Sequence, residues 1–165
     1  MRLYLIRHAD ALPAGQNGIE TDEARPLSTK GKQQCQALAG ALHRAGVRFD
    51  LVLTSPLVRA QQTTEELFRH WQGPQPERQD CAPLASGERL KGLAEVVRAL
   101  KQEAVALVGH EPDLSNLAVW LMGSRKARLD MAKAGVAALD CTDEPGKGDA
   151  TLVWLVTPDW YAAVP

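Results

Sequence analysis

The chain has 165 residues, of which 45% are hydrophobic and 24% charged, with a formal net charge of −1. That is enough for one domain, residues 1–165, with a real core, and the composition is that of an ordinary globular protein. The near-neutral balance gives no general attraction to nucleic acid or acidic membranes, and no apolar run approaches the ~20 residues that span a bilayer.

Met1-Arg2 leads straight into a strand without a signal-peptide h-region, so a cytoplasmic location is expected. Leu3 to Ile6 read as a buried strand that ends abruptly in Arg7 and His8. Asp10 to Pro26 is a loop rich in turn residues. Ser28 or Thr29 then caps a helix that Gly46 ends, and its residues Cys35, Leu38, Ala39 and Leu42 face a sheet. Gly31 in its first turn suggests close backbone packing, or simple tolerance near a helix end.

Asp50 to Thr54 is a second strand, followed by Ser55-Pro56. Pro56 suits the first turn of the next helix, which runs to about Trp71 with Leu57, Thr64, Leu67, Phe68 and Trp71 inward and Arg59 near its start. A weak strand is expected around Arg78 to Ala82, and a helix from about Glu88 to Lys101. Val105 to Gly109 is another buried strand, ending in His110. Asp113 to Met122 is a helix stopped by Gly123, and Gly135 to Asp140 and Thr151 to Val156 form a hairpin. The pattern gives an α/β fold: a single three-layer α/β/α domain with a mostly parallel central sheet and helices on both faces.

Three cysteines, Cys35, Cys81 and Cys141, are widely spaced, which argues for core or half-buried thiols rather than disulfides or zinc. His43 and His70 lie in helices with no partner at ligand spacing and read as fillers. Among Trp120, Trp154, Trp160 and Tyr161, core or edge packing is the expected role for most.

In an open α/β sheet, sites form outside the carboxyl ends of the strands. Those ends carry Arg7 and His8, then Ser55 and Arg59, then His110. Each residue alone also fits a plainer role at a strand end or on a solvated helix. Converging on one edge of a parallel sheet, they make a cationic phosphate site with a histidine nucleophile. The arginines would keep that histidine neutral, and the second histidine would help stabilise charge on the phosphoryl oxygens.

Leu5-Ile6-Arg7-His8-Ala9 resembles the RHG signature of the histidine phosphatase superfamily, with Ala9 in place of the glycine. A methyl group fits there if φ is negative. Arg25-Pro26-Leu27-Ser28 with Gly31, the run from Thr54 to Thr63, and Val108-Gly109-His110-Glu111-Pro112 are similar to three further family segments, in family order from residue 3 to about 115. The sequence looks most like the small SixA-type phosphohistidine phosphatases.

The resemblance implies a phosphoglycerate mutase-like fold, no metal and no organic cofactor. It implies that His8 becomes phosphorylated, that Arg7, Arg59 and His110 hold the phosphoryl group, and that Arg25 helps at the rim. Glu88 is the candidate general acid, with Asp10 and Glu111 as alternatives. The implied substrate is a phosphohistidine-bearing protein such as a signal-transduction phosphotransfer domain. The alternatives are a phosphomonoesterase acting on a small metabolite and a non-catalytic phosphate-binding module. Few residues remain between Arg59 and His110 for a lid, so an open, shallow site is expected.

Overall fold

The computed structural model describes residues 1–15, 18–85, 87, 90–142 and 145–162. Six strands form one sheet: β1 (Arg2–Arg7), β2 (Leu51–Thr54), β3 (Glu77–Asp80), β4 (Ala104–Gly109), β5 (Val136–Cys141) and β6 (Ala150–Val156). Their order is β3-β2-β4-β1-β5-β6. The pairs β2–β3, β2–β4 and β1–β4 are parallel. β5 runs antiparallel to both β1 and β6, so the expected hairpin is present and β5 alone is reversed.

The helices are α1 (Thr29–Arg44), α2 (Val58–Arg69), α3 (Leu90–Ala99), α4 (Asp113–Leu121) and α5 (Pro158–Tyr161), with a 3-10 turn at Ala82–Leu84. The central strands are buried on both faces, so they read as continuous apolar runs. Leu3, Leu5, Val105 and Leu107 point to one side, where Leu93 and Val97 of α3 and Leu114, Leu117 and Leu121 of α4 cover them. Tyr4, Ile6, Ala106 and Val108 point to the other, under Leu38 and Leu42 of α1, Leu67 of α2 and Tyr161 of α5. Leu5 is wholly buried, so Leu5→Ala would cost about 3 kcal/mol.

Helix α1 begins and ends as its residues dictate. Ser28 accepts the Gly31 amide at its N-terminus. At the other end Gly46 has φ +68°, and the Gly46 and Val47 amides return to the His43 and Leu42 carbonyls. A Cβ at Gly31 would collide with the Asp10 carbonyl oxygen, the close packing that the glycine suggested.

Some details differ from the sequence reading. Pro56 lies before α2, whose N-cap is Leu57, so the proline ends the β2 loop rather than opening the helix. Leu57, Phe68 and Trp71 are only half-buried, while Arg59, Thr63 and Glu66 take buried positions on that helix. β3 starts earlier and is largely exposed, as an edge strand should be. The short helix α5 was not expected. Trp160 on it is 77% exposed, whereas Trp120 and Trp154 pack partly against the core. All three cysteines are free and buried. Among the described residues no helix is long and apolar enough to cross a membrane.

Candidate active site

Strand register assembles the site. Arg7 pairs with Gly109, and Thr54 with Val108. The next residues continue the ladder: the His8 amide donates to the Gly109 carbonyl at 3.0 Å and the Ser55 amide to the Val108 carbonyl at 2.9 Å. His8, Ser55 and His110 therefore leave the sheet together at its carboxyl edge. The two imidazole rings lie 5.1 Å apart between centroids.

His8 is buried and its geometry sets its tautomer. Nδ1 lies 2.7 Å from the Ala9 carbonyl, which can only accept, so Nδ1 carries the proton. Arg59 Nε–H donates to Nε2 at 3.2 Å, so Nε2 keeps its lone pair. Burial lowers the His8 pKa to about 4, opposed by the Ala9 hydrogen bond and reinforced by the charges of Arg59, Arg7 and Lys133. The arginines act as expected, but desolvation is the larger cause.

The residues behind His8 are equally specified. Ala9 is fully buried and its backbone lies outside the positive-φ region. Its amide donates to Thr63 Oγ1, and the Thr63 hydroxyl donates to the Arg59 carbonyl, which ties the turn after β1 to α2. Ala134 sits directly behind with φ +59°, its amide donating to the carbonyls of both Arg7 and His8.

His110 is buried, and its Nε2 lies 2.8 Å from Ser55 Oγ. The Leu57 amide also donates to that oxygen. The assignment that places every Ser55 proton has the hydroxyl donating to Nε2, which leaves the His110 proton on Nδ1. Burial lowers the His110 pKa to about 3, with Arg59 and His8 adding to the effect. Arg7 donates from one guanidinium nitrogen to the Met131 carbonyl at 2.6 Å. Among the described residues, two buried side-chain polar atoms have no hydrogen-bond partner, His110 Nδ1 and Arg7 Nε. An unmade buried hydrogen bond costs about 1–3 kcal/mol, and such groups persist where a ligand can satisfy them.

The rim comes from loops. Asp22 pairs through Oδ2 with Arg59 at 2.9 Å and through Oδ1 with Arg25 at 2.8 Å. Its carbonyl accepts a second Arg59 N–H at 2.7 Å. Arg25 also donates to the Leu12 carbonyl, so its guanidinium holds the loop as well as the rim. The Arg25 hydrogen bond lowers the Asp22 pKa. On the other side Asp10 bridges Lys133 at 2.7 Å and the Ser28 hydroxyl at 2.6 Å. Burial would raise the Asp10 pKa, but those two hydrogen bonds win and lower it. Glu111 follows His110 and accepts from the Ser115 hydroxyl and amide at the start of α4, while burial raises its pKa.

Thus Arg7, His8, Arg59 and His110 come together, with Arg25 one contact further out. Glu88 lies outside the described residues. Asp22, Lys133 and the Met131 carbonyl were not foreseen. The expected openness is qualified by the loop before α1, which folds its Asp22 onto Arg59. Among the described residues no cluster of three or more His, Cys, Asp or Glu could hold a metal ion.

Comparison with known proteins bears on the family. Residues 3–82 match the model of the histidine phosphatase superfamily, branch 1. The chain is 35% identical over 164 residues to an uncharacterized protein of Picosynechococcus sp., covering 97% of this chain and 98% of the relative. It is 29% identical to the phosphohistidine phosphatase SixA of Escherichia coli, covering 96% and 94% of the two chains. The solved structure of the protein histidine phosphatase SixA complexed with tungstate superposes with a TM-score of 0.83 at 24% identity, covering 96% of this chain and 98% of that one. With its fold and a nearly full-length SixA relative in agreement, the chain belongs to the histidine phosphatase superfamily.

Proposed function

We propose that this phosphatase removes the phosphoryl group from a phosphohistidine borne on a protein, through a phospho-His8 intermediate. The observation that carries the mechanism is the His8 tautomer, with Nδ1–H held by the Ala9 carbonyl and the Nε2 lone pair met only by an arginine N–H. In the first step Nε2 attacks phosphorus and the bond to the leaving nitrogen breaks. The Arg59 Nε–H, released from the lone pair, turns to a phosphoryl oxygen. Arg7 Nε–H and His110 Nδ1–H are the unpaired donors that take the other oxygens. In the second step water attacks the phosphohistidine, inorganic phosphate leaves, and the Nε2 lone pair returns.

Asp10 and Asp22 are held below the ordinary carboxylate range by their partners and are poor proton donors at neutral pH. Glu111 beside His110 has its pKa raised by burial and accepts from the Ser115 hydroxyl and amide, so it is the described carboxylate that an oxygen leaving group would call on. A departing imidazole accepts a proton from solvent near pH 7 and needs little help. The SixA relative, matched over nearly its full length, is named for the same substrate class.

The test compares wild type with His8→Ala in the presence of EDTA. Each is offered a phosphohistidine protein, a phosphoserine peptide and a phosphorylated three-carbon acid. Rapid loss of phosphate from the first alone, abolished in His8→Ala and passing through an acid-labile phosphoenzyme, is the expected result. Preference for the small acid would replace this reading with a metabolite phosphatase. No turnover and no phosphoenzyme would replace it with a binding module.

A further inference from the structure

Asp22 is the carboxylate that stands on the arginines assigned to phosphate. Its side chain is 55% exposed, while that of Arg59 beneath it is 4% exposed. It thus covers a cation that has little other access to solvent. Its two oxygens divide between Arg59 and Arg25, as two oxygens of a phosphoryl group would.

The side chain is not what positions Arg59. The Asp22 carbonyl accepts one Arg59 N–H, and His8 Nε2 accepts another. The loop is fixed separately: the Val58 amide donates to the Glu23 carbonyl, the Leu12 amide to Pro26, and Arg25 to Leu12. Arg59 would keep its place if the carboxylate were removed. What the carboxylate adds is a single negative charge on the two guanidinium groups.

We propose that Asp22 is a resident counter-ion that sets the phosphate affinity and charge selectivity of this site, occupying the Arg25–Arg59 pair until a doubly charged phosphoryl group displaces it. This deepens the reading of Arg59 as a phosphoryl ligand and rests on it. A phosphoryl dianion brings twice the charge of the carboxylate and wins the exchange; a monoanion gains nothing by it. The same exchange weakens retention of inorganic phosphate after turnover. It also frees an Arg25 N–H for the bound group, which gives Arg25 its place at the rim.

The experiment measures binding of inorganic phosphate at pH 8 by isothermal titration calorimetry. The proteins are wild type, Asp22→Asn, Asp22→Ala and Asp22→Glu, at constant ionic strength. Asp22→Asn and Asp22→Ala are expected to bind phosphate about tenfold more tightly than wild type, with Asp22→Glu close to wild type. Acetate, a free carboxylate of the kind removed, should compete with phosphate in Asp22→Ala and not in wild type. Phosphate binding that is unchanged or weaker in the Asn and Ala variants overturns the proposal, and so does absence of binding in all four. Because the readout is binding, it stands apart from the turnover test above: a failure to hydrolyse phosphohistidine protein leaves the phosphate titration to decide the role of Asp22.

Discussion

The Nε–H of Arg59 points at the Nε2 lone pair of His8 across 3.2 Å. The relationship does two things. It keeps Nε2 of the imidazole unprotonated, and it places a buried cation beside that nitrogen, where the proposed mechanism develops negative charge. Only a planar fork can do both while another of its nitrogens stays bound to the Asp22 carbonyl. Arg59→Lys keeps the charge but loses the fork. Its kcat/KM should fall by about a hundredfold. Steady-state kinetics with the phosphohistidine substrate checks this, and a variant within about twofold of wild type would remove Arg59 from the transition state.

The two histidines also make stability depend on pH. In the folded protein burial lowers His8 to about 4 and His110 to about 3, against 6.5 for an ordinary imidazole. Below pH 6.5 the unfolded chain takes up protons that the folded chain refuses. Their contribution is therefore intact above pH 6.5 and declines as pH falls toward 4. At pH 5 each histidine has lost about 2 kcal/mol of stability relative to pH 7.5. Glu111, whose pKa burial raises, works in the opposite sense, so the informative comparison is between proteins that both retain it. The urea midpoint of wild type should drop between pH 7.5 and pH 5, and that of His110→Asn should drop less. The acid limb of kcat/KM should likewise follow His8 near 4 rather than 6.5.

Ser55 acts through His110. Its hydroxyl donates to Nε2 and so leaves the Nδ1 proton pointing away from Ser55 as an unpaired donor. Ser55→Ala removes that restraint without touching substrate. It should lower kcat by about tenfold, and the loss should vanish in a His110→Ala background, because the two residues work as one unit. A double-mutant cycle on kcat checks this. Additive losses would show that Ser55 acts independently of His110 and overturn this role.

The parts of this site that can be read from sequence are those fixed by the sheet. Arg7, His8 and His110 each follow directly on a buried apolar run, and Arg59 lies within one turn of another. Parallel register then brings them together without further information. The unread parts come from irregular chain. Asp22 and Lys133 reach the site along loops whose paths depend on tertiary contacts such as Arg25 to Leu12 and Arg7 to Met131. The one local signal for Asp22 is its spacing of three residues from Arg25, a pairing easily mistaken for a solvated turn. Helix α5 escaped because four residues carry no periodicity, although Pro158 after Thr157 marks a helix start. Its Tyr161 donates its hydroxyl proton to the Ala134 carbonyl at 2.7 Å, so this unforeseen element buttresses the segment behind His8.

Ala134 itself carries the last prediction. Its φ of +59° puts a Cβ where L-residues are strained by about 1–2 kcal/mol. Glycine would relieve that strain. Against this, glycine loses about 0.5–1 kcal/mol more backbone entropy on folding, and the buried methyl packed with Ala9, Leu27 and Cys35 is worth about 0.8 kcal/mol. The terms nearly cancel, so Ala134→Gly should leave stability within about 1 kcal/mol of wild type. Ala134→Val has no such compensation. A β-branched side chain is a genuine outlier at positive φ, and Ala134 is fully buried; a loss of about 3 kcal/mol is expected. Because the Ala134 amide binds the carbonyls of Arg7 and His8, the valine variant should also lose activity under conditions where it is still folded. Urea unfolding and initial rates on the same preparations test both statements, and a valine variant of wild-type stability would mean that the backbone here relaxes freely.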